Sequence, residues 1–285
     1  MQEASGTGQH LWPTADGAED FSFDIQGASQ PMRLRCPKDT FPITPASCVF
    51  IDAISTHAAQ LLKGEGVDWG CGGGCGAIAC CMASPSVTHV WGLDAVPENV
   101  ELARENAESN GITAAEFHLA DSFVVAEEEA EARFAAASPL DFIVANAPAD
   151  HEEGSDSFGW RRRIATMALP MLKPEGVLLL QALSAYGDAR FGALATEGLR
   201  WEGTLHRHGP VEMDLSRPDL RDQLHQYAAW EEMGGEAYVF EDAEGQTMTA
   251  REALARWQAS KEDDDADEFL PWVYWTVQHF VRECA

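Results

Sequence analysis

Lysine is scarce in this chain. Four lysines (Lys38, Lys63, Lys173, Lys261) stand among 19 basic residues and face 47 acids, so the formal charge is −28 over 285 residues. So little positive charge argues against a protein whose main task is to grip nucleic-acid phosphates, because that affinity comes from basic side chains displacing counterions. The only basic run, Arg161-Arg162-Arg163, is too short for a footprint and reads as a solvated turn of helix. Arginine outnumbers lysine by 15 to 4. An acidic, lysine-poor surface suits a protein kept soluble in concentrated salt, where repulsion is screened within about 3 Å at 1 M. An ordinary acidic cytoplasmic protein is the other reading.

A regular cysteine framework is missing too. Seven is an odd number, and four of the seven (Cys71, Cys75, Cys80, Cys81) crowd into one apolar stretch. This usage points to reduced thiols in a cytoplasm. No run reaches the roughly 18 apolar residues of a membrane helix. The opening MQEASGTGQHLWPTADGAED has neither a charged n-region nor an apolar h-region, so neither secretion nor membrane spanning is expected. It reads as a flexible tail. There are no internal repeats, and nothing in the sequence bears on oligomeric state.

What the chain does contain is an α/β rhythm. Phe21–Arg35 alternates weakly and suggests a short strand pair, "CPKDTFPITP" is proline-punctuated loop, and Val49–Leu62 has helical spacing. From Gly66 the pattern becomes strand, helix, strand. Strands are expected at Val67–Trp69, Val87–Leu93, Ala115–Leu119, Leu140–Ala145 and Gly176–Gln181. Between them lie helices at Gly76–Met82, Pro97–Asn110, the acidic EEEAEARFAAA and RRRIATMALPML. Pro97 in the first turn and Asn110-Gly111 at the end punctuate the second of these helices. Short apolar strands separated by helices predict parallel strands covered on both faces, with useful residues at their carboxyl ends. Further on, Asp188–Leu199 and Asp219–Trp230 read as helices, and Trp201–His208, Ala237–Phe240 and Trp272–Phe280 as strands forming an antiparallel edge. KEDDDADE reads as an exposed loop. The expected organisation is an extension over 1–45, a core over 46–200 and a sheet-completing part over 201–285.

The stretch GVDWGCGGGCGAIACC admits three readings. A linker is disfavoured, because an apolar strand enters it and an apolar helix leaves. A metal site is disfavoured, because the cysteines are not paired as C-x-x-C and no histidine is near in sequence. The third reading is a loop whose Gly70, Gly72 and Gly74 let backbone approach a ligand where a Cβ would clash. Asp94 ends the next strand, 20 residues past Gly74, where a carboxylate can accept both hydroxyls of a ribose.

At this point the chain resembles the class I S-adenosylmethionine-dependent methyltransferases. The resemblance rests on VDWGCGGG, GLDAVPENVELARENAESNG, ADSF (Ala120–Phe123) and DFIVANAPAD (Asp141–Asp150), and covers about residues 46–182. It implies a seven-stranded Rossmann-like sheet, mostly parallel with an antiparallel edge, and S-adenosylmethionine as cofactor. By the same resemblance, Gly70, Gly72 and Gly74 would cradle the methionine part, and Asp68 would orient that loop or meet the amino group. Asp94 would take the ribose hydroxyls, and Asp121 the adenine amine, with Ser122 and Phe123 flanking the ring. Val90, Ile143 and Leu179 are strand core.

Members of this group that methylate amides or exocyclic amines read Asn-Pro-Pro-aromatic after the fourth strand, where Asn and a proline carbonyl hold the NH2. Here Asn146 and Pro148 remain as the catalytic candidates, while Ala147 and Ala149 replace the first proline and the stacking aromatic. His151, Phe158 and Trp160 are the nearby rings that could take over stacking. The upstream DTFPITPAS is loosely similar to the pre-core segment of the same group. His206 and His208 share one face of a strand and are the candidates for a base, with a solvated strand face as the plainer reading. Trp201, Trp230, Trp257, Trp272 and Trp275 read as aromatic core, with the lining of a substrate pocket as the other reading. The expectation is an N-directed methyltransferase acting on a protein or RNA. The alternatives are a small-molecule methyltransferase and a silent cofactor-binding scaffold.

Overall fold

A computed structural model of the protein describes residues 20–38, 40, 42–149, 155–195, 197–262 and 267–284. The expected tail up to residue 19, His151 and residues 263–266 of the acidic loop lie outside that set. The chain forms two units, residues 1–146 with 171–179, and residues 147–170 with 180–285.

The first unit opens with an antiparallel pair, β1 (Asp20–Phe23) and β2 (Met32–Arg35), in which Phe21 faces Leu34. Helix α1 (Pro45–Leu61) starts on a reciprocal capping box: the Ser47 N–H donates to Thr44 Oγ1, and the Thr44 N–H donates to Ser47 Oγ. Then come β3 (Gly64–Trp69), α2 (Cys75–Ala83), β4 (Val87–Asp94), α3 (Pro97–Ser109), β5 (Ala115–Asp121), β6 (Val124–Val125), α4 (Glu128–Ala137) and β7 (Leu140–Ala145). After α5 (Gly159–Met171), the boundary between the units falls inside β8 (Leu172–Leu183). The sheet order in this unit is β8-β7-β3-β4-β5-β6. β3 runs parallel to β4 and β7, β4 runs parallel to β5, and β6 turns back antiparallel. Val67, Val90, Ile143, Val144 and Leu179 are fully buried. Central strands therefore read as continuous apolar runs, the pattern of a sheet covered on both faces. The fold class is the one the sequence implied, α/β, Rossmann-like and mostly parallel, with an N-terminal extension, but the sheet counts ten strands among the described residues instead of the expected seven.

β2 has a neighbour that is not a strand. On α3, Asn106 Oδ1 accepts from the Arg35 N–H at 2.8 Å and Asn106 Nδ2 donates to the Arg35 carbonyl at 3.1 Å. One turn on, Asn110 treats Arg33 the same way, at 2.8 and 2.6 Å. Four residues of helix rise about 6 Å and two residues of strand about 6.7 Å, so the two carboxamides match alternate strand positions. They stand in for a missing strand edge.

In the second unit follow α6 (Gly187–Leu194), β9 (Leu199–Glu212), α7 (Pro218–Glu232), β10 (Phe240–Glu241), β11 (Thr247–Met248), α8 (Ala250–Glu262) and β12 (Trp272–Arg282). β12 pairs antiparallel with β9 from Trp272 opposite Glu212 to Arg282 opposite Leu199, and with β10 at Glu241. The core is aromatic. Tyr227 and Tyr238 stack at 3.9 Å, and Tyr186 packs on Phe158 at 4.9 Å.

Three local expectations change. The strand foreseen at Ala237–Phe240 shrinks to β10, because side chains take its backbone groups: Glu231 accepts from the Tyr238 N–H, and Arg190 donates to the Ala237 carbonyl. The helix α8, not foreseen, buries only Ala250 and Ala253 and so lacks an apolar stripe to read. The arginine run is not a solvated turn. Arg161 is 4% exposed, while Arg162 pairs with the Asp156 carboxylate.

Replacing Asn106 by alanine removes its bonds to Arg35 and to the Gly73 carbonyl, leaving partly buried backbone groups unpaired. The expected cost is about 2–3 kcal/mol, read as a lower denaturation midpoint with an unchanged slope.

Candidate functional site

The loop after β3 is shaped by glycines in the left-handed region: Gly70 at φ 67°, Gly72 at 52° and Gly74 at 85°. Gly74 is also the N-cap of α2, where a Cβ would sit 3.0 Å from the Ala103 Cβ and 3.1 Å from the Phe117 ring. A glycine cap has no side chain to satisfy the first helical N–H groups. Asp68 does this from the strand, its Oδ2 accepting from the Ala77 N–H at 2.7 Å. A Cβ at Gly76 would come within 2.7 Å of that oxygen, so residue 76 must be glycine for the carboxylate to reach the helix.

Asp94 ties the loop from the neighbouring strand. Its Oδ2 accepts from the Gly72 N–H at 2.8 Å, and its Oδ1 accepts from the Val96 N–H at 2.9 Å and from Asn99 Nδ2 at 3.1 Å. A carboxylate offers about four lone-pair positions. One on Oδ2 is left for a further donor.

Electrostatically the loop is a dry, acidic place. Burial pushes the Asp68 carboxyl up to about 7. The bond from Ala77 works against this shift and the nearby Asp94 charge adds to it. Burial also raises the thiols of Cys71, Cys75 and Cys80, so they stay protonated. Among the described residues no group of His, Cys, Asp or Glu is arranged to hold a metal ion.

Asn146 follows β7 in the first unit, and its Nδ2 donates to Ser47 Oγ at 3.3 Å. Asn146, Ser47, Asp68, Gly70, Gly72 and Cys75 line a single pocket. Asp121, Ser122 and Phe123 sit at the β5–β6 turn. Asp121 is exposed, Ser122 has φ 60° and accepts from Trp69 Nε1 at 3.3 Å, and Phe123 is 5% exposed beside the Trp69 ring. In the second unit the Pro148 carbonyl accepts from Arg161 Nη1 at 3.2 Å. Arg161 Nη2 also donates to the Ala147 carbonyl and its Nε to that of Gln181. Phe158 is fully buried against Tyr186 and Phe191, so that ring is not available for stacking. Trp160 is partly exposed with Arg163 over it. His206 and His208 lie on β9 opposite Val277 and Trp275 of β12.

A family model described as methyltransferase small domain matches residues 42–190, just over half of the chain. The chain belongs to this family. Its fold and family are those of an S-adenosylmethionine-binding architecture. No curated protein matches this methyltransferase. Among solved structures, the YcgJ protein from Bacillus subtilis is 13% identical with a TM-score of 0.47, over 82% of this chain and 99% of that one. The ribosomal protein L11 methylase from Lactobacillus delbrueckii subsp. bulgaricus is 18% identical with a TM-score of 0.44, over 59% and 76%. TrmN from Thermus thermophilus is 16% identical with a TM-score of 0.45, over 83% of this chain and 48% of its own length. This methyltransferase thus spans about half of the Thermus protein. Among the described residues, no helix is long and apolar enough to cross a membrane.

Sequence reading missed Ser47, Asn99 and Arg161. Thr44-Pro45 before an apolar run was the available signal for Ser47. Nothing in three adjacent arginines singles out the buried one.

Asp68→Asn keeps an acceptor for the Ala77 N–H and removes the titration. The folded carboxyl sits near 7 and the unfolded one at about 3.9, so the unfolded chain loses its proton first as pH rises. Stability from this group is therefore full below about pH 4 and is lost as pH rises to about 7. The melting temperature of Asp68→Asn minus that of the wild type should climb across this window and level off above it. A difference flat with pH would mean that Asp68 ionises normally.

Proposed function

We propose that this methyltransferase moves a methyl group from S-adenosylmethionine to a nitrogen nucleophile of a protein or RNA. The observation that carries the reading is that Asn146 lines the same pocket as Asp68, Gly70 and Gly72. Bound S-adenosylmethionine would supply an electrophilic methyl group on a sulfonium sulfur. Gly70, Gly72 and Gly74 would lie against its methionine part, on a loop whose shape Asp68 and Asp94 hold from the strand ends. Asp94 would offer its remaining lone pair to a ribose hydroxyl. Asp121 would accept from the adenine amine, with Ser122 and Phe123 at the ring's edge. Asn146 Oδ1 and the carbonyl of Pro148 would accept N–H bonds from the acceptor, aiming its nitrogen lone pair along the line of transfer. The chain then contributes orientation rather than covalent chemistry.

A small-molecule acceptor is the second reading. The alanine at 149, the burial of Phe158 and a charge of −28 favour it over a nucleic acid base. A silent scaffold would bind cofactor and transfer nothing.

Calorimetric titration with S-adenosylmethionine, in low and in molar potassium chloride, tests the cofactor. Micromolar binding is expected, with Asp94→Ala about thirtyfold weaker or worse, the equivalent of about 2–3 kcal/mol for a lost charge-assisted bond. Absence of binding where the protein is folded would reject the cofactor assignment. Incubation with methyl-labelled cofactor and RNA, protein or small amines then separates the acceptor classes. Label in none of them favours the scaffold.

A further inference from the structure

We propose that Ser47 is a positioning residue for Asn146, fixing its carboxamide so that the oxygen and not the nitrogen faces the methyl acceptor. The inference rests on the reading of Asn146 given above. An asparagine carboxamide is nearly symmetric in shape. Turning it over exchanges an acceptor for a pair of donors at little steric cost. If turned the wrong way, Asn146 would meet an incoming N–H with its own N–H. Something must therefore set its orientation, and the Nδ2 bond to Ser47 Oγ at 3.3 Å, across 99 residues of sequence, is placed to do so.

The Ser47 oxygen is itself constrained. It is almost wholly buried, at 2% exposure, and belongs to the capping box of α1. The Thr44 N–H, which can only donate, reaches it at 3.2 Å, and Thr44 Oγ1 lies 3.1 Å away. A hydroxyl oxygen accepts two bonds. Thr44 N–H takes one and Asn146 Nδ2 the other, which sends the Ser47 hydroxyl proton to Thr44 Oγ1. The start of the helix and the orientation of the amide are one hydrogen-bonded chain. Glutamate or glutamine is the common partner of a threonine cap at this position. Glutamate here would bring a negative charge into a pocket already holding the buried Asp68. A serine meets both demands without charge. The consequence for substrate class is that the acceptor must present an N–H to Asn146 Oδ1, as an amide or exocyclic amine does.

The test uses the full chain labelled with 15N. The side-chain NH2 pair of Asn146 is identified by its disappearance in Asn146→Asp. Ser47→Ala should shift that pair and speed its exchange with water, while Ser47→Thr restores the wild-type position. Thr44→Ala removes the hydroxyl that takes the Ser47 proton but leaves the Ser47 oxygen, so it should lower the melting temperature and shift the NH2 pair less than Ser47→Ala does. If Ser47→Ala fails to fold, Ser47→Cys serves, because a thiol of similar size is a poor acceptor. An NH2 pair unmoved in folded Ser47→Ala or Ser47→Cys overturns the proposal. With adenosine, cytidine and glutamine as probe acceptors, Ser47→Ala should lower kcat by about tenfold with KM little changed. Wild-type protein that methylates none of these probes counts against the N–H acceptor reading alone. The NMR outcome decides Ser47 independently.

Discussion

The bond from the Ala77 N–H to the Asp68 carboxylate fixes where α2 begins relative to β3. A glycine cap cannot satisfy its own helix, so the strand supplies the acceptor. That acceptor must approach so closely that residue 76 has no room for a side chain. The carboxyl is buried as a result, and its proton affinity rises toward neutrality. Asp94 repeats the device one strand over, holding Gly72 by its N–H. A loop with almost no side chains is thus given one shape by acids that lie outside it.

The few cations of the chain do the complementary work. Where the carboxylates collect backbone N–H groups, buried arginines collect carbonyls. Arg161 holds those of Ala147, Pro148 and Gln181, and Arg190 those of Tyr186 and Ala237. A planar guanidinium with five fixed donors can serve three carbonyls at once, which a single ammonium point does poorly. The excess of arginine over lysine therefore has an interior use as well as whatever it does at the surface. Just after β7, Arg161 restrains two successive carbonyls, those of Ala147 and Pro148.

Much of this was legible in the sequence. The strand ends at Trp69, Asp94 and Ala145, the proline and Asn-Gly punctuation of α3, and the role of the glycine run as a turn all follow from local pattern. The rest depended on long-range pairing that no window of sequence contains. Ser47 and Asn146 are 99 positions apart. Arg161 looks like its two neighbours until the fold buries it. The helix α8 shows a different limit, since its Thr249-x-x-Glu252 box was readable while its surface, with only two buried alanines, gave no periodic stripe.

The carboxamides of Asn106 and Asn110 carry a consequence for mutational tolerance. Both sit on a helix of polar composition, where exchange among aspartate, glutamate, lysine and glutamine would ordinarily be harmless. Each must donate to and accept from the same strand residue at one fixed reach. Aspartate cannot donate, lysine cannot accept, and glutamine is one methylene too long. These two positions are therefore as intolerant of replacement as the buried Met32 and Leu34 of the strand they hold, although their residue type would place them on the solvent face.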